Sequence, residues 1–401
     1  MKILYITYEG FDTPNPNNQM AEVMINDFLD NGYDVHLIQS SKKKIYDELP
    51  NSLIGRKNFS YDTVKRNVVD KTKFVKRYLN EIRYAFLAMK KWIKVKDVDV
   101  VYVQSNPVVV FTILLLKIFK RKPIVYSVYD VFPGHAYDIG VIKSKFLYNV
   151  LRIIQKPCYM LSDAITVLSD DMKEIISKEG AKDNKIYIVP AWFDEKTTKP
   201  IPSSKNRFIQ KYRIPQDKFY VQFAGTIGLI FNYKTVLEVA KRLKNEKNIR
   251  FQIIGEGNVK EKFIKKAKEM KLKNIDFYPI QPVEMVPDVY NTCSICIIPL
   301  MKGVIGNGVP SKAPILMRLK KVIVNCVESS SNYSKMFKEN NMGLAYEIDS
   351  YDEIAEGIKY LYNNEKEVKI MAENAYNYSK EVYKSSTSTK KIMNIFDSFR
   401  R

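Results

Sequence analysis

The stretch KTTKPIPSSKNRF, residues 196–208, separates two halves of the chain that share one sequence pattern. Prolines and small polar residues cluster in it, which is typical of a linker. Before it, short apolar runs alternate with longer helical patterns. These runs are KILYIT (2–7), YDVHLI (33–38), VDVVYV (98–103), PIVYSV (123–128), AITVL (164–168) and KIYIV (185–189).

The same pattern restarts after the linker. Its apolar runs are FYVQFAG (219–225), IRFQIIGEG (249–257), IDFYP (275–279), CSICIIPL (293–300), KVIVNC (321–326) and GLAYEI (343–348). Several runs in both halves are apolar on both faces, which predicts parallel sheets covered by helices on each side. We therefore expect an α/β protein with two doubly wound, Rossmann-like domains, residues 1–195 and 209–380, facing each other across a cleft. Ligands of such folds bind outside the carboxyl ends of the strands.

Length and charge agree with two domains and an anionic partner. At 401 residues the chain is too long for one ordinary hydrophobic core. Its formal net charge is +21, which favours a negatively charged partner. Because the surplus is spread over both halves and no zinc-finger, RNA-recognition or helix-turn-helix pattern is present, we expect no nucleic acid.

Two sequence patterns could indicate a metal-binding site, but both are interpreted as structural. Cys293 and Cys296 lie in a strand pattern, where residues three apart point to opposite faces, so their sulfurs are not expected to share a metal. With two histidines in the chain, we expect no zinc and interpret the cysteines as buried thiols of a reducing compartment. Asp97 and Asp99 open the third strand pattern and are interpreted as its solvated entry.

No stretch has the length of an export signal or of a membrane span. The start, MKILYITYEG, carries too short an apolar core for a signal peptide. The apolar region VVVFTILLL covers residues 108–116, whereas a membrane span needs about 20 residues. We expect a cytoplasmic protein.

Three glycine-bearing segments follow predicted strands of the second half. FAGTIG (223–228) and GEGNVK (255–260) allow a close backbone approach and leave amide groups free at helix starts. GVIGNGVPSKAPILM (303–317) adds Lys312, with Ser311 as the expected cap of the next helix and Pro314 in its first turn. Each segment alone reads equally well as an ordinary turn. Three in one domain favour a phosphate-bearing ligand.

Two acidic residues also lie at predicted strand ends. Asp130, in VYDVFPGHAYDIG (128–140), could orient a hydroxyl or accept a proton, with His135 nearby. The alternative is an aspartate that caps a turn beside a surface histidine. Glu256 could accept hydrogen bonds from a ribose, or simply complement the dipole of the next helix.

Residues 64–96 are strongly basic, with eleven Lys or Arg against Asp70 and Glu81. Apolar residues recur at helical spacing through this region: Phe74, Tyr78, Ile82, Phe86, Met89 and Ile93. One interpretation is a solvated helix packed on the first domain. The other is a pair of helices lying on an anionic membrane surface.

The order of these motifs resembles the family 4 glycosyltransferases of the GT-B fold, and within them the fucosaminyltransferase-like branch that builds bacterial surface polysaccharides. YDVFPGHAYDIGVIKS (129–144) is similar to the family's Asp-Leu-Trp-Pro segment and the stretch that follows it. The likeness covers nearly the whole chain. It continues through LSDAITVLSDDMKEII, KIYIVPAWFD, FAGTIG, IIGEG, CIIPL and VPSK.

The resemblance implies a retaining, metal-independent transferase without a cofactor, which moves a hexosyl or N-acetylhexosaminyl group from a UDP-sugar to a lipid-linked saccharide. It further implies a peripheral location on the inner face of the plasma membrane, with the acceptor held by the first domain and residues 381–401 packed back on that domain. By analogy, the implied contacts are Lys312, Gly225, Thr226 and Gly228 with the diphosphate, Glu256 and Ile280 with the nucleoside, Asn307 and Gly308 with the sugar, and Asp130 and Tyr129 beside the reacting carbon.

The chain departs from the family pattern at several positions. Asn307 and Ile315 occupy the places of two glutamates, Asn332 that of a further acid, and Tyr129 that of a histidine. No arginine follows FAGTIG, and Lys234 is the nearest cation. These departures motivate an alternative, a non-catalytic GT-B subunit that stabilises or positions an active transferase. A sugar-nucleotide epimerase is disfavoured, because that chemistry needs acids or histidines around the sugar.

Overall fold

The computed structural model describes residues 1–12, 16–42, 49–67, 74–193 and 198–400. The chain divides into two compact units. Unit 1 comprises Met1–Ala191 and Ser385–Arg401, and unit 2 comprises Trp192–Lys384.

Unit 1 is built on one parallel sheet. Its strands are β1 (Lys2–Ile6), β2 (Asp34–Ser41), β3 (Phe59–Lys65), β4 (Val100–Gln104), β5 (Ile124–Ser127), β6 (Ala164–Val167) and β7 (Ile186–Ile188). The strand order is β3-β2-β1-β4-β5-β6-β7. Its helices are α1 (Pro16–Asp30), α2 (Phe74–Trp92), α3 (Val109–Phe119), α4 (Gly134–Asp138), α5 (Lys145–Leu161) and α6 (Asp170–Lys178), with a 3-10 turn at Asp183–Lys185.

Unit 2 repeats the design. Its parallel strands are β8 (Phe219–Ala224), β9 (Ile249–Ile254), β10 (Ile275–Tyr278), β11 (Ile295–Pro299), β12 (Val322–Cys326) and β13 (Gly343–Tyr346), in the order β10-β9-β8-β11-β12-β13. Its helices are α7 (Arg207–Tyr212), α8 (Tyr233–Arg242), α9 (Lys260–Glu269), α10 (Val286–Tyr290), α11 (Val304–Asn307), α12 (Ala313–Arg318), α13 (Asn332–Glu339), α14 (Tyr351–Asn363) and α15 (Glu365–Val382), with 3-10 turns at Ser203–Lys205 and Val283–Met285.

The last helix, α16 (Ser385–Asp397), lies in unit 1 and packs against α1. The ring centroids of Phe396 and Phe28 are 5.3 Å apart. The Thr389 hydroxyl donates a hydrogen bond to the Asp27 carboxylate at 2.7 Å. An apolar contact and a polar anchor thus join the end of the chain to its beginning.

The predicted fold class and all twelve predicted strands are confirmed. The central strands β4 and β11 are buried along their whole length, as expected of a sheet covered on both faces. The prediction missed β3, whose sequence FSYDTVK mixes polar and apolar residues. That strand lies at the edge of the sheet beside β2 and is partly accessible to solvent, so burial did not select an apolar run there.

The stretch predicted as a linker is partly anchored on unit 2. The buried Asn206 accepts hydrogen bonds from the amides of Phe208 and Ile209 and so caps α7. Its own amide group donates to the carbonyl of Asp288 at 2.7 Å. The polar residues that suggested a linker therefore serve in part as a helix start.

The prediction for the cysteine pair was wrong in its geometry. Cys293 lies in the turn before β11 rather than in the strand, and its sulfur is 3.3 Å from that of Cys296. The period-two argument does not apply across that turn. Both thiols are free and buried. Among the described residues, no three His, Cys, Asp or Glu side chains are grouped as a metal ion would require.

The described part of the basic region 64–96 contains one helix, where a pair was predicted. Its first residues end strand β3, residues 68–73 lie outside the described ranges, and one helix, α2, follows. Arg66 is buried, with its guanidinium 4.2 Å from the centre of the Tyr8 ring and 3.4 Å from Glu9. In the part of the chain that the structure describes, no helix combines the length and apolar character needed to cross a bilayer.

Candidate functional site

Two glycine loops pack directly on each other at the carboxyl ends of β8 and β9, which are neighbouring strands of unit 2. The Gly225 amide donates to the carbonyl of Ile254, and the Ile227 amide donates to that of Glu256, each at 2.9 Å. Gly255 has a φ of +146°, and a Cβ atom there would lie 1.9 Å from the Gly225 carbonyl oxygen. Only glycine permits this approach.

Lys312 reaches the same place from the segment between β11 and α12. Its ammonium lies 3.8 Å from the centre of the Phe223 ring, at the end of β8. It is also 2.8 Å from the position that a Cβ atom on Gly225 would occupy. The fold thus joins the two segments that the resemblance assigned to the diphosphate, although they are far apart in the sequence.

Among the described residues, no carboxylate compensates the charge of Lys312. Burial lowers the pKa of Lys312 to about 8, and a weaker interaction with Cys296 opposes that shift. The structure records no ion pair to this ammonium from any described acid. The Phe223 ring supplies a cation–π contact, which compensates a charge only in part. An anion would complete the site.

The loop offers fewer free amides than predicted. The amides of Gly225 and Ile227 are already used within the paired loops. Those of Thr226 and Gly228 donate to no backbone acceptor among the described residues. Thr226 is exposed, whereas Gly228 is buried. Thr226 is therefore the loop residue most accessible to a ligand beside Lys312.

The helix that follows Lys312 differs from the prediction. Ser311 lies exposed in a turn and does not cap α12; the capping position falls on Lys312, and no side chain closes the helix start. Pro314 lies in the first turn, as predicted. Because α12 has six residues, its dipole is short. The negative charge of a ligand would therefore be balanced mainly by Lys312.

The two residues assigned to the nucleoside lie at neighbouring strand ends. Glu256, after β9, forms a 2.6 Å ion pair with Lys260 one helical turn further on. That pair agrees with the simpler interpretation of Glu256 as a partner of the helix start. Ile280 follows β10 and is 63% exposed, which leaves an apolar surface open beside the glycine loops.

The segment assigned to the sugar is held in place by hydrogen bonds within the protein. Asn307 is buried at the end of α11 and donates to the Gly303 carbonyl at 3.0 Å, while Gly308 is extended. The Gly303 amide in turn donates to the carboxylate of Glu328, which follows β12. The other carboxylate oxygen of Glu328 is buried with no hydrogen-bond partner among the described residues. Sequence reasoning missed Glu328, because no motif signals a contact between two separate strand ends.

The two candidates in unit 1 separate in the structure. Asp130 follows β5 and is exposed; the surrounding protein raises the pKa of its carboxyl, although His135 opposes the rise and water moderates it. Tyr129 is buried, and its phenol lies among Tyr102, Ser127 and Gln104. That position argues against the predicted contact of Tyr129 with a substrate. His135 is half-buried, and its Nδ1 atom has no partner in the described ranges.

Lys234, the nearest cation after FAGTIG, is exposed in the first turn of α8. Its ammonium lies 5.8 Å from the centre of the Tyr351 ring, and the Tyr351 hydroxyl donates to the Asp349 carboxylate at 2.8 Å. Asp99 also has a structural role, since its carboxylate accepts the backbone N–H of Lys2 at 2.7 Å.

Two family models match the chain, one on each half. Residues 20–196 match the model described as Glycosyltransferase Family 4, and residues 204–378 match Glycosyl transferases group 1. Together they account for most of the chain. The boundary between them falls in the segment where the predicted linker lies.

Similar proteins carry related descriptions. The chain is 28% identical over 279 residues to the probable glycosyltransferase WbjE of Pseudomonas aeruginosa, covering 68% of this chain and 69% of that protein. It is also 24% identical over 206 residues to the putative colanic acid biosynthesis glycosyl transferase WcaI of Escherichia coli K12. That match covers 49% of this chain and 49% of WcaI.

The solved structure of Anabaena Alr3699/HepE in complex with UDP shares the fold. It superposes with a TM-score of 0.75 at 12% identity and covers 99% of this chain and 100% of its own. At that identity the likeness concerns the fold alone. With both halves matched by family models and both sheets matched in space, the chain belongs to the family 4 glycosyltransferases of the GT-B fold.

Proposed function

We propose that this glycosyltransferase moves a hexosyl or N-acetylhexosaminyl group from a UDP-sugar to a lipid-linked saccharide, in the biosynthesis of a bacterial surface polysaccharide. The observation that carries the donor site is the Lys312 ammonium, which lies beside Gly225 and has no carboxylate partner in the part of the chain that the structure describes. A nucleoside diphosphate supplies the missing negative charge. The description of WcaI as a colanic acid biosynthesis enzyme and the UDP and UDP-glucose complexes of HepE support this choice of pathway and donor.

In the proposed reaction, the bond between the anomeric carbon and the β-phosphate oxygen breaks as a bond to the acceptor oxygen forms. The acceptor proton passes to a phosphate oxygen of the leaving UDP. Attack occurs on the face from which UDP departs, so the anomeric configuration is retained. Lys312 stabilises the negative charge that grows on the leaving diphosphate, and no metal ion is required.

The remaining residues have supporting parts in this proposal. Ile280 lies beside the base, and Glu256 exchanges its pairing with Lys260 for the ribose hydroxyls. Glu328 positions the segment around Gly303 that faces the transferred sugar. Asp130, in unit 1, orients a hydroxyl of the acceptor; the surrounding protein raises the pKa of its carboxyl, and His135 opposes that rise.

Hydrolysis of UDP-sugars tests the proposed activity. Purified protein is incubated with UDP-, GDP- and dTDP-sugars, and nucleotide release is measured with and without a chelator. We expect release of UDP from one UDP-sugar, with no loss on chelation. Release of GDP or dTDP alone would contradict the donor class.

A non-catalytic subunit is the second candidate, and Asn307 and Ile315 favour it because they stand where the family places glutamates. It predicts that no nucleotide raises the melting temperature and that the chain co-purifies with an active transferase. Nucleotide release by the purified chain would exclude this candidate.

A further inference from the structure

Two helices of unit 1 expose rows of large apolar side chains. On α2 and its continuation, Leu79, Phe86 and Ile93 are each between 43 and 59% exposed. On α5, Phe146, Ile153 and Met160 are between 66 and 79% exposed. Within each row the residues are seven apart, which is nearly two helical turns, so each row follows one side of its helix.

These rows point away from the core. The opposite side of α2 buries Tyr84, Ala88 and Trp92, and that of α5 buries Leu151 and Cys158. Helix α3 contacts both α2 and α5. It exposes three further apolar side chains, Leu114, Ile118 and Phe119. We call these nine exposed residues the three-helix face.

The helices of the three-helix face carry an excess of basic side chains, although acids of neighbouring elements pair with three of them: Asp62 with Lys91, Asp163 with Lys117 and Glu179 with Arg152. Helices α2, α3 and α5 hold five, one and three Lys or Arg residues respectively. Their one acidic residue, Glu81, is buried and 2% exposed. Apolar rows bordered by lysines and arginines are typical of a surface that lies in the headgroup region of an anionic bilayer.

A basic cavity lies where the α2 row ends. It has a volume of about 400 Å³, and Lys2, Lys91, Lys94 and Lys96 are among its lining residues. Its one acid, Asp62, is already paired with His36 at 3.3 Å and with Lys91 at 3.1 Å. The cations next to Ile93 therefore exceed their local counter-charge, which suits a phosphate group.

We propose that the three-helix face is the surface on which this protein sits on a membrane containing anionic lipid. The apolar rows enter the headgroup boundary, and the lysines beside them meet lipid phosphates. This inference deepens the proposed function by naming the membrane-contacting surface, and it replaces the stretch 64–96 with three helices. A second copy of the chain is disfavoured as the partner of this face, because such a dimer would bring two positively charged surfaces into contact.

Vesicle flotation tests the inference on the full chain. The vesicles are phosphatidylcholine alone, or phosphatidylcholine mixed equally with phosphatidylglycerol. One variant combines Phe146→Ser, Ile153→Ser and Met160→Ser. Its control combines Tyr360→Ser and Ile370→Ser, two exposed apolar positions of unit 2. We expect the wild type and the control to float with the mixed vesicles, and the triple variant to bind at least about tenfold more weakly.

A charge variant tests the basic cavity. Lys94→Gln with Lys96→Gln is compared with Lys335→Gln and Lys338→Gln, which are exposed on α13. We expect only the first pair to reduce the preference for phosphatidylglycerol, by about threefold to tenfold. An unchanged preference in that pair would overturn the role of the cavity.

Three results would overturn the inference: flotation of the triple variant like the wild type, equal binding to neutral vesicles, or a dimer of the wild type that the triple variant abolishes. Each variant is also titrated with UDP. Retained UDP affinity with lost flotation shows an intact fold and supports the membrane surface. Flotation without any UDP affinity would contradict the proposed function and leave the membrane surface supported.

Discussion

Lys312 combines features that favour ligand binding over stability. Lys312 is half-buried, and its desolvated ammonium has no carboxylate partner among the described residues. Such a cation destabilises the folded state, and the lowering of its pKa to about 8 reflects that cost. Phe223 offsets only part of it. Such a residue is expected where an incoming anion completes the site.

Replacing Lys312 by methionine is therefore predicted to stabilise the free protein. The Lys312→Met variant keeps the aliphatic stem and removes the desolvated charge, so we expect the free energy of unfolding at pH 7 to rise by about 1–3 kcal/mol. Urea denaturation measures this difference. A variant less stable than the wild type would mean that the ammonium is well compensated in the free protein.

The affinity for UDP is predicted to depend on pH through the same group. In the free protein Lys312 is charged below about pH 8 and loses its proton as the pH rises through that value. A diphosphate prefers the charged form, so UDP binding should weaken about tenfold between pH 7 and pH 9.5. Calorimetric titration of the wild type and Lys312→Met measures this change. The variant should show no such step, and an equal step in both proteins would assign the titration to another group.

At the scale of single residues, the sequence predicted which residues belong to the candidate site better than it predicted their contacts. Lys312, Gly225 and Gly255 could be selected because glycines and a cation at strand ends carry a chemical meaning. The burial of the Tyr129 phenol and the contact of Glu328 with Gly303 could not be predicted, since both depend on how separate strand ends pack. Ser311 failed as a cap because the chain turns once more before α12 begins.

The paired loops after β8 and β9 are the elements that hold the site. Alanine at Gly255 would place its Cβ 1.9 Å from the Gly225 carbonyl oxygen. We expect Gly255→Ala to lower the free energy of unfolding by about 3 kcal/mol or more and to weaken UDP binding, because the loops must separate.

Gly32→Ala is the matched control. Gly32 also has a positive φ, +79°, but a Cβ atom there would meet nothing within 4 Å. Its cost should therefore be about 1 kcal/mol, from backbone strain alone. Equal costs at the two positions, measured by urea denaturation, would show that the loops do not need their close contact.

At the scale of elements, apolar periodicity predicted every strand whose two faces are covered. It failed for β3, where the sheet ends and polar residues are tolerated, and for the turn before β11, where the strand pattern was extended too far. The pair Cys293 and Cys296 shows the consequence, because a turn in place of two strand residues brings the sulfurs together.

The whole molecule joins two sheets of the same construction, and the linker sequence was enough to predict that duplication. The boundaries differ by a few residues, since residues 203–208 anchor on unit 2 and unit 1 takes up the chain again at Ser385. The net charge of +21 indicated an anionic partner but not its place. Only the three-dimensional structure shows that the exposed apolar side chains of α2, α3 and α5 lie on neighbouring helices.

The most direct test of the donor site is a calorimetric titration of UDP at pH 7 into the wild type, Lys312→Met and Lys268→Met. Lys268 is the matched control, because it is an exposed lysine of the same unit in the last turn of α9, at the end of that helix remote from the glycine loops. We predict that the wild type and Lys268→Met bind UDP with equal affinity and that Lys312→Met binds at least about tenfold more weakly, as loss of a charge-assisted phosphate contact implies. Equal affinity in all three proteins, or no binding to the wild type, would contradict the account.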